Sequence, residues 1–294
     1  MDNCRKATAR EVEMILDWAA AEGWNPGLDD AEAFYSADPE GFYVATVDNL
    51  PVAAVSVVKQ GQVSGGRAYG FLGLYLCQPA YRGQGLGWKV WQHGMSYLGD
   101  CIVALDGVVD QQANYRRSGF ELAYRNIRYS GAVPSLWLSE AISQKTESVN
   151  FREVVAADLD RLIEFDRSIG GVERRTYLTH WFTNTGSRKT LIAERRSDAE
   201  IVACGSIRAC RENYKIGPLL ANDSAIAKQL LVRLTNTVKA RFISIDVPEL
   251  NSEAVLLASS NGFQPVFETA RMYRGEPLPA TPGKIYGVCT LELG

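Results

Sequence analysis

Residues 78–87 read QPAYRGQGLG, with three glycines at alternate positions just behind the apolar run FLGLYL (71–76). Glycine loses more conformational freedom on folding than any other residue, so this spacing weakens a strand or a helix. It makes sense where the backbone must approach something closely. A strand that runs into a glycine turn and then a helix, here predicted from about 86 to 98, forms an anion site. The first amides of such a helix have no internal partner, and its dipole is positive there. A Walker loop requires GxxxxGK followed by Ser or Thr, and nothing here fits. A dinucleotide fold requires GxGxxG directly after the strand and an acid about 20 positions on. Asp106 does stand 21 residues after Gly85, but the spacing is GxGxG, and six residues separate Leu76 from Gly83. That is too many for the tight turn.

The rest of the chain narrows the possibilities. Its 294 residues suffice for one large domain or two of about 150. A net charge of −3 argues against nucleic acid or an anionic membrane as partner. No apolar run reaches the roughly 20 residues of a membrane span, and the start, MDNCRKATAREVEM, lacks the apolar core of a signal peptide. Six scattered cysteines without a CxxC pair read as reduced thiols in a cytoplasmic protein. His93 and His180 stand far apart with no cysteine nearby, so no metal site is expected.

The chain also repeats itself. SGFELAYRNIR (118–128) reads onto NGFQPVFETAR (261–271) with an offset of 143, and NCRKATAREVEMIL (3–16) onto NFREVVAADLDRLI (150–163) with 147. FYVA (42–45) and TLIA (190–193) fall in the same order. Two copies of one mixed α/β fold follow, 1–138 and 149–294, joined by the polar linker 139–148. In the first copy, Val12, Ile15, Leu16 and Ala19 mark a helix over 9–21, and Asp29 or Asp30 caps a second one. The strands FYVATV and VAAVSVV, a Gly-rich hairpin over 61–70 and FLGLYLC lead into the glycine loop. A helix, the strand CIVAL, a short helix around 111–118 and the strand AYRNIRY complete the copy.

YRGQGLG resembles the pyrophosphate loop of the GNAT N-acetyltransferase superfamily, with Arg82, Gly85 and Gly87 in the pattern positions. Pro79-Ala80-Tyr81-Arg82-Gly83 reproduces the family's turn after its central strand, and Tyr115 stands four places before Gly119-Phe120, as the family's tyrosine does. The resemblance implies two tandem GNAT-like domains, each a largely antiparallel sheet splayed at a central strand. It further implies that acetyl-CoA or another acyl-CoA lies in the splay. Main-chain groups of Leu74, Tyr75 and Leu76 would hold its pantetheine arm, and amides of Arg82, Gly83, Gln84, Gly85, Leu86, Gly87 and Trp88 its diphosphate. Asn114, on the helix that carries Tyr115, would also face the cofactor. That helix departs from the family at Val108, where an Asn is usual, and at Gln111, where a small residue is usual.

In the second copy YKIGPLLANDSAIAKQLL (214–231) lacks the arginine-glycine cluster, Asp223 carries the wrong sign for a diphosphate, and Ala258 takes the tyrosine's place. One active site per chain is expected, in the first half. Tyr115 matches the family's proton donor to the leaving thiolate. The strand FLGLYLC has no acidic side chain. Asp106 is therefore a candidate base for the acceptor amine, although CIVALD resembles FISID, whose Asp246 has no loop beside it, so a purely structural aspartate is the stronger alternative and acceptor binding a third. Trp24, Asn25, Asp29 and Tyr35, in EGWNPGLDDAEAFY, together with Asp110, are candidates for holding a cationic acceptor. The same residues also read as a turn and a helix cap. The function expected is acetyl transfer to a small-molecule primary amine; a protein or peptide acceptor, or a non-catalytic acyl-CoA-binding module, are the alternatives.

Overall fold

A computed structural model describes residues 3–63, 65–137 and 148–294, so the expected linker lies, apart from Ser148, outside the described residues. The first half runs β1 (Asn3–Lys6), α1 (Ala9–Ala21), α2 (Asp30–Ala37), β2 (Phe42–Val47), β3 (Leu50–Gln62), β4 (Ala68–Cys77), α3 (Leu86–Leu98), β5 (Ile102–Val108), α4 (Gln112–Arg117) and β6 (Glu121–Ala132). The second repeats this order with β7 (Val149–Glu153), α5 (Leu159–Gly170), α6 (Arg175–Phe182), β8 (Arg188–Arg195), β9 (Ile201–Ala209), β10 (Tyr214–Ala221), α7 (Ser224–Thr237), β11 (Phe242–Pro248), α8 (Ser252–Ser260) and β12 (Gln264–Arg274). A short β13 (Ile285–Gly287) follows. Local chemistry explains the starts: Thr8 and Glu11 form a capping box on α1, whose inward stripe is Val12, Ile15, Leu16 and Ala19.

The two halves share one mixed sheet, ordered β1-β2-β3-β4-β5-β12-β6-β11-β10-β9-β8-β7. This order reads alike from both ends once each strand is matched to its counterpart. The last strands have been exchanged: β12 of the second half pairs with β5, and β6 of the first half pairs with β11. A pseudo-twofold axis crosses the β12–β6 ladder where Thr269 faces Asn126. On either side of it Phe267 faces Arg128 and Arg271 faces Tyr124, the equivalent pair.

The helices that open each half share a core across the boundary. Phe34 of α2 stacks on Trp181 of α6, with ring centroids 6.1 Å apart, in a cluster that includes Val12, Ile15, Leu162 and Leu178. Asp30 lies buried at this junction between Arg188 and Arg208, whose guanidinium groups face the Trp181 ring. The opposite face of each half has its own core, under α3 in the first and under α7 and α8 in the second. Among the described residues no helix is long and apolar enough to cross a membrane.

Candidate active site

Strands β4 and β5 run parallel from Tyr69↔Ile102 to Leu72↔Leu105, and there the pairing ends. Two residues on, Leu74 has a φ of +45° and the β3–β4 register shifts. Such a bulge bends a strand and frees its main chain from the ladder, so β4 leans away from β5 and a cleft opens between them. Below it the chain enters the glycine turn. Gly83 and Gly85 have φ of +77° and +80°, values open to glycine at little cost, and nothing stands within 4 Å of where their Cβ atoms would be. Leu86, Gly87 and Trp88 open α3, so their amides have no carbonyl one turn back within the helix. Arg82 staples the turn: its Nε donates to the Cys77 carbonyl at 2.9 Å, and its Nη2 pairs with Glu22.

Two spaces meet at Tyr75, Val108 and Gln111. One is a groove over the glycine turn, lined by Leu76, Arg82, Gly83, Gly85, Leu86, Gly87 and Trp88. The other is a mostly apolar cavity behind the bulge, lined by Leu72, Leu74, Leu105 and Tyr115 of the first half. Gly73, Asp106 and Arg128 of the first half also line it, and the second half supplies Phe267 and Thr269 from the exchanged strand and Leu291 and Glu292 from the segment after β13. Trp24 lines both spaces, and its carbonyl accepts from Arg128 Nη1 at 3.1 Å and Lys215 Nζ at 2.7 Å. Burial makes the lysine harder to protonate, with Arg128 adding repulsion, and brings its pKa down to about 8.

Tyr115 lines the cavity. Its ring stacks on Trp91 at 5.6 Å, and it lies so close to β5 that a Cβ at Gly107 would be 2.6 Å from it. Burial pushes the Tyr115 phenol up, with Tyr75 adding to the shift, and burial likewise pushes Tyr75 up. Both phenols are therefore protonated at neutral pH.

Several sequence candidates are placed differently from expectation. The Asp106 side chain is fully buried. It accepts from Arg271 Nε at 2.9 Å, Arg271 Nη2 at 2.7 Å and Asn126 Nδ2 at 2.8 Å, so although the residue lines the cavity its carboxylate is committed to the protein's own donors, which fits the structural reading rather than the base. Asn25 is bound to the Glu212 main chain, at 2.9 Å to both its nitrogen and its carbonyl. Asp29 accepts from the Thr185 and Ser187 hydroxyls, and Tyr35 packs against Phe42. These three serve the junction between halves or the core, not the cavity, because the second half covers the loop that carries them. Asp110 lies on the groove, not the cavity. Leu74 is on the cavity side of the bulge, Gln84 binds back to the Ala80 carbonyl at 3.1 Å, and Asn114 bonds Gln111 at 2.6 Å on the outer wall by Trp88 and Trp91. Sequence reasoning missed Arg128, Phe267, Thr269, Leu291 and Glu292. Only the repeat that aligns Arg128 with Arg271 hinted at any of them.

At the equivalent place in the second half, β10 and β11 pair only from Tyr214↔Ile243 to Ile216↔Ile245. The gap beyond is filled by the chain itself. β13 pairs with β10 at Leu219↔Gly287 and Leu220↔Ile285, and the Val288 amide donates to the Asp246 carbonyl at 2.9 Å. The Asp223 side chain caps α7 by accepting from the Ile226 amide at 2.8 Å.

Comparisons with known proteins agree with this architecture. The acetyltransferase (GNAT) family model matches residues 10–120, and an acetyltransferase (GNAT) domain model matches 162–287. A holothin acyltransferase of Pseudoalteromonas sp. (strain SANK 73390) is 31% identical over 292 residues, spanning 99% of this chain and 94% of that protein. A crystal structure from Pyrococcus horikoshii, assigned as an acetyltransferase, superposes with a TM-score of 0.79 at 21% identity, covering 100% of this chain and 96% of that one. A tandem GNAT protein from the clavulanic acid biosynthesis pathway gives 0.63 at 12% identity, covering 94% and 99%. Splayed strands, a glycine turn at a helix N-terminus and a duplicated sheet thus converge with these likenesses: the chain belongs to the GNAT acyltransferases, in their tandem form.

Proposed function

We propose that the protein transfers an acyl group, acetyl in the simplest case, from acyl-CoA to the primary amine of a small molecule, at a single site in the first half. The observation that carries this reading is the junction of a glycine-turn groove with an apolar cavity whose far wall comes from the second half. The groove suits the donor. Free amides at the start of α3 and the positive end of its dipole favour a diphosphate there. The main chain of β4 from the bulge onward, at Leu74, Tyr75 and Leu76, is open on the β5 side to a pantetheine arm. The second half has neither feature, since Asp223 occupies its helix start and β13 its gap.

The cavity suits a small acceptor better than a polypeptide, because Leu291, Glu292 and Phe267 close it from behind. Its walls are largely apolar, with aromatic rings from Trp24, Tyr75, Tyr115 and Phe267. The relative named for acylating holothin matches along nearly the whole chain, second half included, which supports an acceptor of similar kind. A cytoplasmic setting accords with six unpaired cysteines.

The amine nitrogen attacks the thioester carbon, a C–N bond forms and the C–S bond breaks. Desolvation at Tyr115 keeps its hydroxyl protonated and also disfavours a bare thiolate, so the phenol gives the sulfur its proton as the bond breaks. Thiol release from acetyl-CoA across a panel of small amines tests the reading. Tyr115→Phe should lower kcat by about 10²-fold or more with acetyl-CoA affinity unchanged. Thiol release with no amine in the panel would overturn the small-molecule assignment, and an unaltered kcat would remove Tyr115 from the chemistry.

A further inference from the structure

Glu292 is a buried acid without an assigned task. It is 5% exposed and lines the cavity, yet among the described residues no hydrogen bond or ion pair holds its carboxylate. Neither oxygen is among the side-chain atoms fully sealed in the protein without a partner. An unpaired buried carboxylate is costly, and its neighbours could have relieved it. Arg128 of β6, Lys215 of β10 and Arg208 of β9 all act on it electrostatically. Each is committed elsewhere: Arg128 to Asp246 and the Trp24 carbonyl, Lys215 to the same carbonyl, and Arg208 to Asp30. The cations offset the charge without binding the oxygens.

The main chain at Glu292 is pressed against the central strand. A Cβ on Gly73 would lie 2.0 Å from the Glu292 carbonyl oxygen, so only a glycine admits the segment there. Gly73 immediately precedes the bulged Leu74, at the mouth of the cleft. The segment is tied down on either side, with the Leu293 amide donating to Thr290 Oγ1 at 2.9 Å and Gln60 Nε2 donating to the Leu293 carbonyl.

We infer that Glu292, carried by the second half into the first half's cavity, binds the acceptor's ammonium group and takes the proton that must leave before nitrogen can attack. This rests on the transferase reading above. One ammonium proton passes to the Glu292 carboxylate and on to solvent. The neutral nitrogen forms the C–N bond, the C–S electron pair leaves with sulfur, and sulfur takes the Tyr115 proton. The second proton, shed by nitrogen as the amide forms, balances that one. Donor and amine thus give amide, free thiol and one released proton.

The test uses acetyl-CoA with benzylamine, which arrives as an ammonium ion at neutral pH, and with aniline, which arrives neutral. Holothin serves as a third acceptor. Glu292→Gln should lower kcat/KM for benzylamine by about 10²–10³-fold and for aniline by about tenfold or less, while calorimetric acetyl-CoA affinity stays within about twofold. Glu292→Asp keeps the charge and should recover part of the benzylamine rate, which also covers a Glu292→Gln chain that does not fold. Equal losses with both amines, or a benzylamine rate within about threefold of the parent, would overturn the role of Glu292 and leave the transferase reading intact. An unsubstituted protein that acylates none of the three would overturn both.

Discussion

Arg271 and Asp106 meet in a two-pronged ion pair between the exchanged strand of the second half and β5 of the first, and Arg128 with Asp246 repeats it on the other side of the pseudo-twofold axis. Arginine's planar fork matches a carboxylate in this geometry. Each pair joins one half to the other, and each aspartate stands at the strand end where its half's cleft begins. The pairs therefore fix the exchanged strands in register beside the cleft.

That relationship separates a structural from a catalytic Asp106. Asp106→Asn leaves the Arg271 guanidinium buried beside a neutral amide, and breaking one partner of a buried pair costs about 3–5 kcal/mol. Urea unfolding should show a loss of that order, with kcat per folded molecule within about tenfold of the parent. Unchanged stability with kcat down by about 10³-fold would return Asp106 to the role of base.

For the donor groove the expected outcome is a loss of binding rather than of fold. Gly85→Val places a branched side chain in open space at a positive φ, with backbone strain of about 1–2 kcal/mol. Calorimetry should find no acetyl-CoA binding. Gly99, at the other end of α3, also has a positive φ and open space around its missing Cβ. Gly99→Ala, at φ +54° and ψ −122°, should bear at least as much strain and bind normally. Loss of binding in both would mean that strain, and not the groove, was being measured.

Much of this site was legible in the chain because its signals are local. The glycine turn, the helix behind it and Tyr115 before Gly119-Phe120 all lie within about 40 residues, and each needs only its own neighbours to take shape. The strand exchange was not legible, since a strand's alternation sets which face is buried but not which partner it pairs with. The two pairings available to β6 and β12 bury the same side chains. Asp106 stayed open between base and structural aspartate for that reason: Arg271 lies 165 residues on and reaches it only through the exchange. Asn25 and Asp29 look like binding groups until Glu212, Thr185 and Ser187 of the other half arrive to satisfy them. Glu292 gave no signal, because its position depends on β13 filling a gap that only the folded second half creates.

Lys215 makes stability depend on pH in a distinctive direction. Its pKa is about 8 in the folded protein and about 10.4 in an unfolded chain. Between these values the unfolded state holds a proton that the folded state has shed, so raising pH favours the fold. Below about pH 8 the lysine is charged in both states and the burial cost is felt in full. Lys215→Met removes that cost together with the hydrogen bond to Trp24, worth about 1 kcal/mol. The variant should be more stable than the parent by about 1–2 kcal/mol at pH 7, an advantage gone by pH 10. Urea midpoints of the two proteins compared at each pH isolate this group from the buried thiols, which titrate in both. A gap that does not change with pH would show that Lys215 keeps an ordinary affinity for its proton.

Gly73→Ala reaches the cavity without altering any polar group. The added methyl would lie 2.0 Å from the Glu292 carbonyl oxygen and 3.2 Å from Ser56 Oγ, and a main-chain carbonyl held on both flanks cannot turn aside as a long side chain does. The segment must retreat from the strand, taking the carboxylate with it. Acetyl-CoA binding in the groove should survive, because the groove's wall begins at Tyr75. Turnover with benzylamine should fall at least tenfold, and the amides of Leu293 and Gly294, bonded to Thr290 in the parent, should exchange their hydrogens faster. Faster exchange with full turnover would mean that the segment closes the cavity but takes no part in the reaction. Unchanged exchange would mean that the strand and not the segment yields, and that the contact at Gly73 does not position Glu292.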